Sequence, residues 1–178
     1  MISTRYYDSP LGRILLSADE TGLTGLWFEG SMHFALGLPK EHRDGVNKTL
    51  LNAKQWLDIY FSGENPGFIP PIHLVGTSFQ KKVWNILLEI PYGKTISYGE
   101  IATKIVKEEG IQKMSSQAVG GAVGHNKISI IIPCHRVVGS NGSLTGYAAG
   151  LDKKIKLLEI EHISRTRFCS LKAQHEAK

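Results

Sequence analysis

Cysteine is scarce in this chain. Only Cys134 and Cys169 occur among 178 residues, which excludes a disulfide-stapled scaffold and points to a reducing, cytoplasmic compartment. Long apolar runs are missing too. Nothing approaches the ~20 residues needed to span a bilayer, and Met1-Ile2-Ser3-Thr4-Arg5 leads into no secretory hydrophobic segment. No membrane partner is expected. His33, His42 and His73 lack ligand spacing and have no cysteine near them, so neither a metal nor a cofactor is expected.

What remains is an ordinary globular composition, 42% hydrophobic and 21% charged, enough for one domain or two small ones. Charge is divided unevenly. Residues 1–72 carry 6 Lys/Arg against 8 Asp/Glu, a net of −2, while residues 73–178 carry 15 against 8, a net of +7. The second half suits a polyanion partner and the first does not.

Gly/Pro punctuation divides residues 1–28 into a β-meander with strands at 4–7, 13–17 and 23–28. Residues 29–45 carry no firm pattern. Leu50, Ala53, Trp56/Leu57 and Tyr60/Phe61 recur at helical spacing, with Gly63 as the stop. A Gly/Pro-rich stretch then separates a first unit, residues 1–72, from a second, 73–165. Thr77 with Gln80, and Ser97 with Glu100, form capping boxes that open two helices. A polar connection over 108–114 leads to a third, in which Ala118, Val119, Ala122 and Val123 recur. Two short capped helices joined by a loop fit a helix-turn-helix. The small residues Ala118, Gly120 and Gly121 favour close approach to a minor groove or the sugar-phosphate wall over reading base edges from the major groove, with simple close helix packing as the bland alternative. A last helix follows from Leu151 to Leu158, with Leu151, Ile155 and Leu158 inward, its lysines solvated and Glu161 at its end. Residues 162–178 are expected to fray, 166–178 as a flexible tail with Cys169 a bystander.

The chemistry concentrates at Ile130-Ile131-Ile132-Pro133-Cys134-His135-Arg136-Val137-Val138. Three isoleucines running into a proline read as a buried strand that ends there. A thiol is nucleophilic as thiolate, and neighbouring proton acceptors or positive charges draw it below its ordinary pKa of ~8.5. The bland alternative is a core cysteine with His135 and Arg136 turned outward by strand alternation. Asn141-Gly142 downstream reads as a hairpin turn.

Pro133-Cys134-His135-Arg136-Val137-Val138, with the helix-turn-helix before it and Tyr147-Ala148-Ala149-Gly150 after it, resembles the O6-alkylguanine-DNA alkyltransferase family. The resemblance is strong over residues 76–161 and weak over 1–75. It implies an α/β (α+β) protein with a three-layer, ribonuclease-H-like N-terminal domain and a mostly helical C-terminal domain bearing a winged helix-turn-helix. It implies single-turnover transfer of an alkyl group from O6-alkylguanine in double-stranded DNA, and O4-methylthymine as a further candidate lesion, by a monomer working from the minor groove. Cys134 would be the acceptor, His135 the general base acting through a water, and Glu161 the carboxylate orienting it. Asn126 would brace the turn before the cysteine, and Tyr98 would help protonate the flipped base. The carbonyls of Cys134 and Val137 would take the guanine amino group, and the backbone at Tyr147-Ala148 would close over the base. Arg136, Ala118, Gly120 and Gly121 complete the expected DNA-facing set.

One position departs from the family pattern. Gln117 stands where well-known members carry the arginine that fills the gap left by the flipped base; glutamine can stack there but lacks a fixed charge. Three rivals remain: a lesion-binding relative that does not repair, a thiol hydrolase built on Cys134, His135 and Glu161, and a helix-turn-helix regulator. The first requires an inert thiol, the second an oxyanion hole that no glycine-rich loop clearly supplies, and the third a helix that displays base-reading side chains.

Overall fold

A computed structural model describes residues 1–168. The expected meander is present as β1 (Ile2–Ser9), β2 (Gly12–Ala18) and β3 (Leu23–Phe28). Both hairpins are antiparallel, and the sheet order is β3-β2-β1-β4. The added strand β4 (His42–Asp44) lies in the stretch that carried no pattern and pairs parallel to β1. Its three residues are all exposed, so no hydrophobic alternation could announce it. Central β2 is buried at every position from Ile14 to Ala18, so both its faces are covered, and the polar Ser17 within it is paired with Thr24 at 2.8 Å.

Helix α1 (Lys48–Phe61) packs on this sheet through Leu50, Ala53, Trp56, Leu57 and Tyr60. Asn47 caps it by accepting from the Leu50 amide. Helices α2 (Ser78–Leu88) and α3 (Tyr98–Glu109) open on the two expected capping boxes. Between them β5 (Ile96–Ser97) pairs parallel with β6 (Val137–Val138). Helix α3 runs on through Glu109 and stops at Gly110, whose φ of 65° suits glycine at a helix C-terminus, so the connection to α4 (Ser116–Gly124) is shorter than the sequence suggested. The Trp84 indole of α2 donates to the Ala122 carbonyl of α4 at 2.9 Å and fixes the pair.

The expected strand before Cys134 does not form. Ile128 makes a single bridge to Leu26 of β3, flanked by Leu26 N–H donating to Lys127 O and Ser129 N–H donating to Leu26 O. The chain then turns at Ile130, φ 70°, and enters a 3-10 turn over Cys134–Arg136. A left-handed β-branched residue costs roughly 1–3 kcal/mol. Burying three isoleucine side chains returns roughly 1.5–3 kcal/mol each and outweighs it. The apolar run was a burial signal, and burial does not specify extended backbone. The Asn141-Gly142 turn exists, but β6 pairs with β5 and no hairpin follows.

One apolar core runs from Ile14 through α1, α2, α3, α4 and the isoleucine turn to Leu157 of α5 (Leu151–Ile160). In α5, Leu151 is exposed, whereas Lys154, expected in solvent, is fully buried. Residues 162–168 are not frayed as a whole: Ile163 is buried, Phe168 packs against the small cluster of Val138, Leu144 and Leu158, and Arg165–Arg167 form a 3-10 turn. The expectations for Cys169 and the rest of the tail lie outside the described residues.

Candidate active site

Pro133 has no amide hydrogen, and the turn it opens directs His135 and Arg136 inward, not outward as strand alternation would have them. Both meet Glu161, which follows the last turn of α5. Its buried carboxylate accepts from His135 Nε2 at 2.5 Å, Arg136 Nε at 2.8 Å, Arg136 Nη2 at 3.1 Å, the Tyr60 hydroxyl at 2.9 Å and the Gly93 amide at 3.0 Å. Burial alone would raise its pKa. The His135 and Arg136 partners outweigh burial and hold it down at about 2.

An ionised carboxylate can only accept, so the bond to His135 needs a hydrogen on Nε2 and leaves the Nδ1 lone pair free. Nδ1 is buried and makes no hydrogen bond within the protein. Burial also lowers the His135 pKa against the pull of Glu161, so the imidazole is neutral at pH 7 and can take a proton. Cys134 is 7% exposed. Burial pushes its thiol up, and the Asn126 amide and the Lys154 ammonium pull the other way. The resting thiol is therefore protonated, and forming the thiolate calls for a proton acceptor.

Cys134 opens into a cavity of about 320 Å³ lined by Tyr98, Gly120, Gly121, Asn126, Tyr147 and Ala148 among others. Asn126 braces the turn as expected: its amide donates to Ile132 O at 2.8 Å and its carbonyl accepts from Ile128 N at 2.9 Å. The Tyr98 hydroxyl donates to Thr145 O at 3.4 Å. Gly120 faces Tyr98, whose ring carbons lie 3.8 Å from where a Cβ would stand. Gln117, Ala118 and Gly121 sit on the exposed face of α4.

Two expected residues lie elsewhere. Arg136 is 7% exposed, with its guanidinium held by Glu161 and by Ile90 O at 2.6 Å, so it does not face DNA. Val137 is fully buried, and its carbonyl already accepts from Lys154 Nζ at 2.6 Å. The Cys134 carbonyl likewise accepts from the Val137 amide. Each carbonyl keeps a second lone pair.

Tyr60 carried no functional signal in the sequence. It reaches Glu161 from α1 and lies 3.3 Å from His135 Nε2, so the first half of the chain does contribute to the constellation. Its helical spacing marked it as core, and only a buried hydroxyl's need for a partner could have flagged it. Met32 and His33, from the unassigned stretch, also line the cavity. His33 stacks on His125 at 4.9 Å, and the Met32 amide donates to Ala148 O at 2.9 Å.

Two family descriptions match this chain: "6-O-methylguanine DNA methyltransferase, ribonuclease-like domain" over residues 2–73 and "6-O-methylguanine DNA methyltransferase, DNA binding domain" over residues 78–163. A methylated-DNA–protein-cysteine methyltransferase of Methanosarcina acetivorans is 44% identical, covering 87% of this chain and 95% of its own. One of Methanosarcina barkeri is 46% identical, covering 88% and 96%. Among solved structures, Mycobacterium tuberculosis OGT in complex with DNA superposes with a TM-score of 0.76 at 39% identity, covering 93% of this chain and 94% of that one.

Proposed function

The chain belongs to the 6-O-methylguanine DNA methyltransferase family, and from that membership we propose that it takes the alkyl group of O6-alkylguanine onto Cys134. The protein is a methylated-DNA–protein-cysteine methyltransferase, a DNA-binding protein of direct-reversal repair. The observation that carries the assignment to Cys134 is its place at the cavity wall, next in sequence to a histidine whose Nε2 is tied to an ionised carboxylate and whose Nδ1 is free.

The thiol proton passes through a water to His135 Nδ1, and Glu161 stabilises the imidazolium that results. The sulfur attacks the saturated carbon in line. The S–C bond forms as the C–O6 bond breaks, and its electron pair stays on guanine. Guanine takes one proton from the Tyr98 hydroxyl, which recovers it from the imidazolium. The balance is thiol plus alkylguanine giving thioether plus guanine. A thioether does not revert at neutral pH, so each chain acts once.

Reaching the cavity requires the base to leave the duplex. The exposed face of α4 bears Gln117, Ala118 and Gly121 and can press closely against a minor groove, with Gln117 entering the vacated space. O4-methylthymine presents the same alkyl–oxygen chemistry and is a second candidate substrate. A monomer completes the reaction, because every group invoked belongs to one chain, and a thiol that must stay reduced fits the cytoplasm.

The test is intact-protein mass after mixing with excess duplex carrying one O6-methylguanine, beside a Cys134→Ala control. Gain of a single methyl that maps to Cys134, saturates at one per chain and is absent from the control is the expected result. Unchanged mass with preferential binding of the damaged duplex would make the protein a lesion sensor with an inert thiol.

A further inference from the structure

Met32 and His33, from the first half of the chain, line the same cavity as Cys134 yet have no part in the transfer described above. The walls contributed by α4 and the 143–150 segment include Gly121, Gly124 and Gly146, and a Cβ on any of these would meet nothing within 4 Å. Those walls leave room and give the cavity little shape. Met32 and His33 supply bulk where glycine supplies none. Both are exposed, Met32 at 68%, so neither is there to fill the core. The unbranched thioether chain of Met32 adapts to whatever it meets.

The two residues lie on a flap, residues 31–38, built as a run of tight turns. The Phe34 amide donates to Ser31 O at 3.1 Å, Leu36 to His33 O at 3.0 Å and Leu38 to Ala35 O at 2.9 Å. His33 and Ala35 sit at φ 63° and 55°, left-handed backbone that persists outside glycine only where surrounding contacts hold it. Three contacts to the second half of the chain supply that hold. The Met32 amide donates to Ala148 O at 2.9 Å, the His33 ring stacks on His125 at 4.9 Å, and Lys127 Nζ lies 2.9 Å from where a Cβ on Gly37 would stand. Ala148 belongs to the backbone expected to close over the base, so the flap is fastened to the cover of the pocket.

Resting on the reading of Cys134 as alkyl acceptor, we propose that Met32 and His33 are specificity-determining residues, the wall that limits how large an O6 substituent the cavity admits. In-line attack fixes only the first carbon, which stands between Sγ and O6. Whatever the substituent carries beyond that carbon must turn aside from the S–C–O axis into the remaining space. A methyl group carries nothing further and makes no demand on the flap. A benzyl group does, and the glycine walls do not bound it. Fit of a single methylene in an apolar pocket changes rates by about 10–200-fold, so the two side chains control selectivity on that scale.

The first experiment compares second-order rates of transfer from duplexes carrying O6-benzylguanine and O6-methylguanine, read by intact mass, in wild type, Met32→Ala and His33→Gly. Both side chains are exposed and glycine suits φ 63°, so the fold tolerates either change. Truncation is expected to raise the benzyl-to-methyl ratio about tenfold, and Met32→Trp to lower it by about as much. The ratio cancels any common change in DNA affinity, so a ratio that truncation leaves fixed or lowers overturns the proposal. The second experiment needs no transfer. The Cys134→Ala protein is labelled with methyl-13C methionine, and the Met32 resonance, assigned through Met32→Ala, is followed by NMR as free O6-benzylguanine or O6-methylguanine is added to saturation. The benzyl ring is expected to move that resonance by its ring current and the methyl compound to move it far less. Equal shifts, or none, overturn the proposal. A wild-type chain that gains no alkyl group in the first experiment defeats the reading of Cys134 as acceptor, on which the second does not depend.

Discussion

Glu161→Gln is the substitution whose consequences are most closely fixed by the structure. It is nearly isosteric, so packing is preserved, but it removes the anion on which Arg136, His135, Tyr60 and Gly93 converge. The folded carboxylate titrates at about 2, against an ordinary 4.5. A depressed pKa contributes stability that is complete above the unfolded value and is lost as pH falls through the folded one. A gap of about 2.5 units at 1.36 kcal/mol each corresponds to about 3 kcal/mol at pH 7, falling to about 1 kcal/mol at pH 3 and vanishing below pH 2. The figure falls at the lower end of the 3–5 kcal/mol that breaking one side of a buried ion pair costs.

The assay is urea unfolding of wild type and variant in parallel from pH 7 to pH 3. In a thermal scan the same loss lowers Tm by roughly 6–12 °C. A difference near 3 kcal/mol on the neutral plateau that narrows only below pH 5 bears out the reasoning. A difference independent of pH, or one below 1 kcal/mol at pH 7, refutes the assignment of Glu161 as an ionised hub. Transfer to Cys134 should fall with it, because an amide can present either face to Nε2 and no longer holds the histidine in one tautomer.

The remaining predictions concern α4. Gln117→Arg should tighten binding to undamaged duplex several-fold and steepen the salt dependence of binding by about one phosphate contact, read by fluorescence anisotropy; an unchanged affinity and slope would remove Gln117 from the interface. Gly121 has open space where a Cβ would stand. Gly121→Ala should stabilise α4 by about 0.5–1 kcal/mol in chemical unfolding, while Gly121→Trp should leave the fold intact and abolish duplex binding. A tryptophan variant that binds DNA as well as wild type would show that this face does not approach the helix.

Where the sequence carried periodicity or a cap, it was legible. The meander, α1 and the two capping boxes follow from local rules, because local hydrogen bonds and alternation determine them. The site was legible as residue types: Cys134, Asn126, Tyr98, Tyr147 and Ala148 do share one cavity. What was not legible depended on distant partners. Ile130–Ile132 read as a strand because a buried apolar run looks alike in any backbone. Lys154 read as a solvated lysine because its three carbonyls come from residues 137, 145 and 146. Arg136 read as a DNA contact because nothing near it in sequence announces Glu161, 25 positions away. Tyr60, 101 positions from its carboxylate, is the extreme case.

That last contact concerns timing. Glu161, at the end of α5, the last α-helix among the described residues, draws its donors from α1, from the loop after α2 and from the turn following Pro133. Until all of these have met, His135 has no fixed tautomer, and the thiol beside it is an ordinary cysteine. A chain emerging from synthesis, or one transiently opened by heat, thus holds the acceptor sulfur without an oriented histidine beside it. Competence for transfer and completion of the fold are one event, because the histidine is set by contacts that only the finished fold brings together.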